Sequence, residues 1–390
     1  MPLQSTVTRL AALCLLALGA TPCIAGEFTD SAGRIVNIPD HIGRVLPANA
    51  AAEVLVFILA PDKLAGLVQP LPADAKRRGM TPPVVGPIIT PAAIAAITRI
   101  RPDIIIESGP VTPDRAVFAD QTTQATGIPY LLLNNSIDRT PTMIRVAGRV
   151  LGVAARADDL ALSAEQFIND LRGQVLIQPT ASRPHVYYGR GPGGLEATPP
   201  YSQAAAALNN SGAINVANTL GANAPPMVTR QQLRDWNPDI IIAQQHSFYD
   251  QLLRDPYWRS LAAVRNKHVY LEPSQPFGWI DDPPSVNRLI GMSWLSVLFY
   301  PANNQDDVRS LAQDFYDKFY GIKLSDKEIA AIAQTAGIPE SNAPNLADLS
   351  LSGTGAPAPG TTEPGRGGGL SPNIPGLPAA PTTPSYRMPK

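Results

Sequence analysis

The sequence predicts an α/β protein of two similar lobes, each built on a parallel sheet, joined by a long connecting helix. Two observations carry this. The segment Pro-Asp-Ile-Ile-Ile occurs twice, at residues 102–106 and 238–242, each time after a helix-like stretch (91–101 and 229–237). In both copies the proline ends the helix, since the residue before a proline is pushed out of the α region. The uniformly apolar β-branched run that follows reads as a strand buried on both faces of a parallel sheet. Secondly, a further strand follows each copy, at 128–133 and 268–272, roughly 30 residues on, the length of a βαβ unit with a right-handed crossover.

The elements follow in order. The first lobe spans residues 27–139, with strands expected at 44–46, 64–68, 84–85, 104–106 and 130–133. Helices are expected at 51–59, 91–100 and 113–126. Over 140–178 the pattern becomes a sustained helical period: Met143, Val146, Ala147, Val150 and Leu151 recur at spacings of three and four, continued by Leu160, Phe167, Ile168 and Leu171. This is the connecting helix. The second lobe, 183–302, opens with the strand His185-Val186-Tyr187-Tyr188. It closes with a helix over 283–299, for which Asp282 is placed as N-cap and Pro283 as first helical residue. A short terminal helix is expected within 303–325. Residues 339–390 turn to Pro, Gly, Ala, Ser and Thr with almost no large apolar side chains, a composition that predicts disorder.

Residues 1–25 read as a cleavable export leader: Arg9 as a thin positive region, an apolar run at 10–20, and Cys23-Ile24-Ala25 before a cleavage point after Ala25. The run is shorter than the about 20 apolar residues that cross a bilayer. A lipid anchor at Cys23 is the alternative, poorly served by Pro22. Both cysteines, Cys14 and Cys23, fall in this leader, so the mature chain would hold no disulfide, thiolate metal site or cysteine nucleophile. A formal net charge of −1 over 390 residues, with no basic stripe, argues against nucleic acid as a partner.

In open α/β sheets ligands bind beyond the carboxyl ends of the strands. That rule selects residues 47–49, with Asn49 the last of them, and then Glu107 and Ser108 in the first lobe. In the second it selects Tyr188 and Arg190, then Gln244, Gln245 and His246, then 273–279. Arg190 stands in a glycine-rich loop, where its guanidinium either clamps an anion bidentately or makes a structural pair. Tyr188 is the tyrosine nearer its strand end. His246 could ligate a metal through its neutral imidazole, line the cleft, or be a hydrogen-bonded loop residue, as a lone histidine without a second at metal spacing more often is. Trp279, bracketed by Pro and Gly, is expected to stack on the planar face of a ligand. Arg288 either reaches the cleft or pairs with Asp281 or Asp282.

Gly189-Arg190-Gly191-Pro192-Gly193-Gly194 satisfies the dinucleotide glycine pattern, but Pro199-Pro200 delay the next helix and no acidic residue follows at the ribose position. No cofactor is expected. With no H-E-x-x-H, no G-x-S-x-G and four scattered histidines, no local nucleophile–base set can be assembled. The expectation is a binding protein and not an enzyme, with a secreted two-lobed hydrolase as a remote alternative.

Several stretches in order resemble a known family: Arg44-Val45-Leu46-Pro47 through Glu53 to Leu64-Ala65-Gly66-Leu67; Val85-Gly86 with Ile100-Arg101-Pro102-Asp103; Asn215-Val216-Ala217; Trp236-Asn237-Pro238-Asp239; and Pro276-Phe277-Gly278-Trp279 with Pro283-Pro284-Ser285-Val286-Asn287-Arg288-Leu289. Together they resemble the periplasmic metal-chelate binding proteins of ABC importers, the iron-siderophore and cobalamin class with the class III fold. The loop at 188–192 and the stretch from 276 to 289 look like a branch that carries iron complexes or oxyanions such as molybdate. The resemblance implies a monomeric periplasmic protein that takes an iron-siderophore-like chelate, haem, cobalamin or an oxyanion between its lobes. It also implies a partner, an ABC permease in the inner membrane. Family members dock onto the permease through a glutamate on each lobe; here those positions are Ala95 and Gln231. Their neutrality favours an alternative, a ligand-holding accessory or sensor of the same fold that docks no permease.

Overall fold

The computed structural model describes residues 24–70, 82–221, 226–301 and 308–336. The leader through Cys23 and the tail from 339 onward, on which an export signal and disorder were expected, lie outside them. All the described residues fall in one compact unit.

An antiparallel hairpin precedes the first lobe, β1 (Ile24–Thr29) with β2 (Ile35–Pro39). Its first two residues, Ile24 and Ala25, precede the expected cleavage point, and Gly26–Thr29 pair with Ile35–Ile38. The hairpin was not read from the sequence. Asp30 fixes its turn by accepting from the N–H groups of Ala32 and Arg34, the Asx chemistry that favours tight reversals.

The first lobe holds a parallel sheet in the order β3 (Val45–Pro47), β4 (Ile104–Gly109), β5 (Tyr130–Asn134). Of the strands expected at 64–68 and 84–85, only isolated parallel bridges form, Val45 with Leu64 and Leu67 with Val84. Pro82, Pro83 and Pro87 remove the donors that a longer ladder would need. Helices α1 (Ala50–Leu59), α2 (Ile94–Ile100) and α3 (Pro113–Thr126) lie where the apolar spacing puts them. The second lobe holds a four-stranded parallel sheet in the order β7 (Ile214–Asn215), β6 (His185–Gly189), β8 (Ile240–Ala243), β9 (Val269–Leu271).

Between the lobes the single connecting helix expected over 140–178 is two helices, α4 (Thr140–Val150) and α5 (Ala154–Leu176). Gly152, at φ +70°, breaks the helix, a left-handed turn that glycine adopts without a Cβ penalty. Apolar period alone does not register such a break, because α5 folds back on α4 with the same faces inward. Arg145 reaches Glu165 at 2.6 Å, and a Cβ on Gly148 would stand 2.0 Å from that of Ala157.

The second lobe continues with α6 (Gln203–Asn210), α7 (Arg230–Trp236), α8 (His246–Arg254) and two single-turn helices, α9 (Pro256–Arg259) and α10 (Ala262–Arg265). The two proline stops behave alike: Arg101 and Asn237, each just before its proline, both sit in the left-handed region, at φ 51° and 41°.

The last lobe helix is α11 (Arg288–Phe299), not 283–299. Asp282 is no N-cap; it lies at φ +58° inside a folded loop. That loop is held by tertiary hydrogen bonds that outweigh the local helix-start signal, with Asn287 donating to the Phe277 carbonyl and accepting from the Tyr320 hydroxyl. The terminal helix expected within 303–325 is α12 (Val308–Phe315), which runs into a π-helical turn, Tyr316–Tyr320. A further helix, α13 (Asp326–Thr335), starts on a capping box of Ser325 and Glu328. Ser-x-x-Glu is the sequence signature of such a start.

The sheets explain the repeated isoleucines. Ile104 and Ile106, like Ile240 and Ile242, face one continuous core that includes Leu55 and Ile58 of α1, Leu160 and Ile168 of α5, and Trp294, Phe315 and Phe319. Ile105 and Ile241 turn the other way, into separate outer cores with Tyr130 and with Trp258 respectively. Alternation on a two-faced strand produces this split.

Candidate functional site

A cleft of about 540 Å³ opens between the lobes at the carboxyl ends of both sheets. Residues 49–51, 107–110 and Asn135 line it from the first lobe. Arg190, Glu196, Gln203, Gln244, Gln245 and the loop 281–284 line it from the second. No aromatic side chain is among the described residues lining it.

Three helices begin at this cleft. Asn49 caps α1, accepting from the Ala52 N–H at 2.9 Å while its own amide donates to the Ser108 carbonyl at 3.0 Å. The N–H groups of Ala50 and Ala51 are left without a protein acceptor among the described residues. Gln203, the first residue of α6, and Gln245, the N-cap position of α8, bring two more helix starts to the cleft wall. Free N–H groups and the positive helix end favour an anion at such positions. The Gln203 Oε1 is buried without a partner.

Arg190 is the cation among the described residues lining the cleft. Its Nη1 lies 3.0 Å from Glu196 Oε1 and its Nε 3.0 Å from Asp281 Oδ2. The Nε–H is not aimed at that carboxylate and makes no hydrogen bond, so the contact is a charge pair without directional bonding. Glu107 is occupied: Arg115 reaches it with Nε at 2.8 Å and with Nη2 at 2.5 Å, and the Tyr130 hydroxyl donates to it at 2.6 Å. Ser108 donates its hydroxyl to the Met143 sulfur at 3.2 Å.

Behind Arg190 sits a further carboxylate, Glu272, fully buried and just past β9. It accepts from the Tyr188 hydroxyl and from the N–H groups of Ile280 and Asp281, the latter at 3.0 Å. No cation among the described residues pairs with it. Burial pushes its pKa up to about 8, against the hydrogen bonds that favour the charged form. Burial likewise raises Asp281, opposed by Arg190.

The expected site residues divide accordingly. Asn49, Glu107, Ser108 and Arg190 meet in the cleft. The other four stand elsewhere. Trp279 is fully buried, packed edge-on against Trp294 at 6.1 Å, with its indole N–H donating to the Tyr316 hydroxyl at 3.2 Å. Helix α12 and the turn after it, sequence-distant elements, cover the loop that looked open. Tyr188 is buried beneath the cleft on Glu272. His246 is exposed as the first residue of α8 but lies outside the cleft lining, one residue past Gln245. Arg288 is buried and donates to the carbonyls of Ser285 and Asn135, with its pKa lowered to about 10 by burial. It clasps the lobes, aided by Asn135, whose amide donates to the Pro284 carbonyl at 3.1 Å.

Sequence reasoning did not name Asn135, Glu196, Gln203 or Asp281 as site residues. Asn135 directly follows β5, so the strand-end rule reaches it. Glu196 and Asp281 come in by loop folding, for which the sequence has no local signal. Among the described residues no group of three or more His, Cys, Asp or Glu side chains is placed to hold a metal ion.

Comparison with known proteins agrees with this architecture. The molybdate-binding protein MolA of Haemophilus influenzae is 31% identical over 116 residues, 29% of this chain, and the match spans 32% of that protein's length. An ABC transporter solute binding protein from Sulfurospirillum deleyianum superposes with a TM-score of 0.72 at 27% identity, covering 79% of this chain and 99% of that one. The molybdate-bound structure of MolA superposes at 0.64 and 20% identity, over 77% of this chain and 99% of that one, a likeness of fold. The family model described as periplasmic binding protein matches residues 70–276, more than half of the 390, and the chain belongs to that family.

Proposed function

We propose that this chain captures a small oxyanion of the molybdate class in the cleft between its lobes, holds it without chemical change, and presents it to an ABC permease. One observation carries the reading: Arg190 shares a cleft, with no aromatic among its described lining residues, with three helix starts, and on α1 two N–H groups have no acceptor among the described residues. Haem, cobalamin and catecholate complexes are planar or aromatic and call for stacking surfaces; the tryptophan expected to supply one is in the core. A tetrahedral oxyanion calls for N–H donors and a guanidinium. Support from known proteins comes from the molybdate-binding protein MolA, to which part of this chain is similar.

The test is titration calorimetry with sodium molybdate and sodium tungstate, beside haem and a ferric catecholate. The oxyanions are expected to bind, and Arg190→Ala is expected to weaken them by about 1.5–3 kcal/mol, the worth of a hydrogen bond to a charged group. Tight binding of a chelate with no oxyanion heat would reject the reading. The accessory alternative draws on Ala95 and Gln231, exposed and uncharged on α2 and α7. Co-purification with a permease decides against it.

A further inference from the structure

We infer that capture of an anion by Arg190 is coupled to uptake of a proton by the buried carboxylate pair Glu272 and Asp281. The inference rests on the oxyanion reading and concerns how that same site is regulated.

The groups facing the pair are these. Arg190 and Glu196 come from the loop after β6, Tyr188 from β6 itself, Asp282 from the loop that carries Asp281, and Arg288 from α11. Arg288 gives its hydrogen bonds to the carbonyls of Ser285 and Asn135 and acts on Asp281 only through space. Among the described residues Arg190 is thus the one cation within ion-pair reach of Asp281, and it is shared with Glu196. Glu272 has no cation among them and is tied to Asp281 through the Asp281 N–H, 3.0 Å from its Oε1.

An oxyanion entering the cleft draws on the same guanidinium, whose Nε–H makes no hydrogen bond to Asp281. It adds negative charge beside two carboxylates that burial has already shifted toward their neutral forms. Like charges packed close together do not all stay ionised. The balance is met by one proton from solvent, taken on a carboxylate oxygen of Asp281 or Glu272; the two titrate as a coupled unit. No other bond forms or breaks.

The sign follows from linkage. The complex holds more protons than the free protein, so affinity falls as pH rises, by up to about tenfold per pH unit for one full proton. Where Glu272 already carries its proton, below its pKa of about 8, the uptake belongs to Asp281. Above it, Glu272 contributes.

The experiment is titration with sodium molybdate at about pH 8 in Tris and in HEPES, whose ionisation heats differ. A buffer-dependent heat corresponding to a sizeable fraction of one proton taken up, reduced in Asp281→Asn or in Glu272→Gln, is the expected result. The Glu272→Gln side chain keeps an acceptor for both loop N–H groups, and the wild-type comparison decides even if a variant does not fold. Molybdate binding with equal heats in the two buffers overturns the proton coupling and leaves the oxyanion reading standing. A proton number that falls only in Glu53→Gln moves the uptake to α1 and overturns the assignment. No binding of molybdate or tungstate overturns both readings together.

Discussion

Replacing Glu53 by glutamine should change how stability depends on pH more than stability itself. Glu53 lies in α1, one turn in from the cleft, and is fully buried. Its Oε2 accepts from the N–H groups of Val68 and Gln69, the latter at 3.3 Å, and its buried Oε1 has no partner among the described residues. Desolvation outweighs those hydrogen bonds and raises the pKa from 4.5 to about 7. The folded chain therefore holds a proton on Glu53 where the unfolded chain has lost it. The associated stability is fully present below about pH 4.5 and is lost as pH rises toward 7. A gap of roughly 2.5 units at 1.36 kcal/mol each amounts to about 3 kcal/mol. Glutamine keeps an acceptor for both N–H groups and does not titrate. Denaturant unfolding of both proteins at about pH 4 and about pH 8 should show the variant gaining about 3 kcal/mol relative to wild type between the two conditions. Taking the difference cancels the other buried acids, Glu272 and Asp281, whose shifts have the same sign. A wild-type-to-variant gap that does not move with pH would show that Glu53 is solvated or paired in the folded state, and the reasoning would fail.

Two further substitutions separate the core from the cleft. Trp279→Ala removes a buried indole together with its hydrogen bond to Tyr316 and should cost about 3–5 kcal/mol in chemical denaturation, while affinity per folded molecule stays close to wild type; lost binding at unchanged stability would return Trp279 to the site. Gly278→Ala places a Cβ 1.7 Å from the Asp281 carbonyl oxygen and 3.0 Å from Glu272 Oε1. It should displace the loop that carries Asp281 and change oxyanion affinity and its pH slope, measured in the same calorimetry, with the circular dichroism spectrum retained.

What the sequence conveyed well was whatever depends on neighbours along the chain. The repeated isoleucine triplets, buried on both faces, identified β4 and β8. The helical stretches expected at 113–126 and 229–237 are helices, capped by Thr112 and Thr229, and the strand-end rule reached Asn49, Glu107, Ser108 and Arg190. The failures share a physical cause. Pro and Gly around Trp279 signal an irregular loop, and they do not say what covers it; Tyr316, some 37 positions on, does. Asp282-Pro283 has the composition of a helix start, but Asn287 finds its partners in Phe277 and Tyr320. Asp281 meets Arg190 across the whole second lobe. Contacts made at such separations leave no periodicity to read.

The continuous core carries a consequence for how the protein is made. Phe57, early in the chain, packs on Tyr320 with ring centroids 6.0 Å apart, and Arg156 bonds both the Ile58 carbonyl at 2.7 Å and the Phe319 carbonyl at 3.0 Å. The first helix thus stays incompletely covered until nearly all of the described chain has been synthesised. Long-range closure of this kind slows folding. Such a delay fits the periplasmic binding protein family to which the chain belongs: a chain that cannot finish its core early stays open, and threadable, for longer.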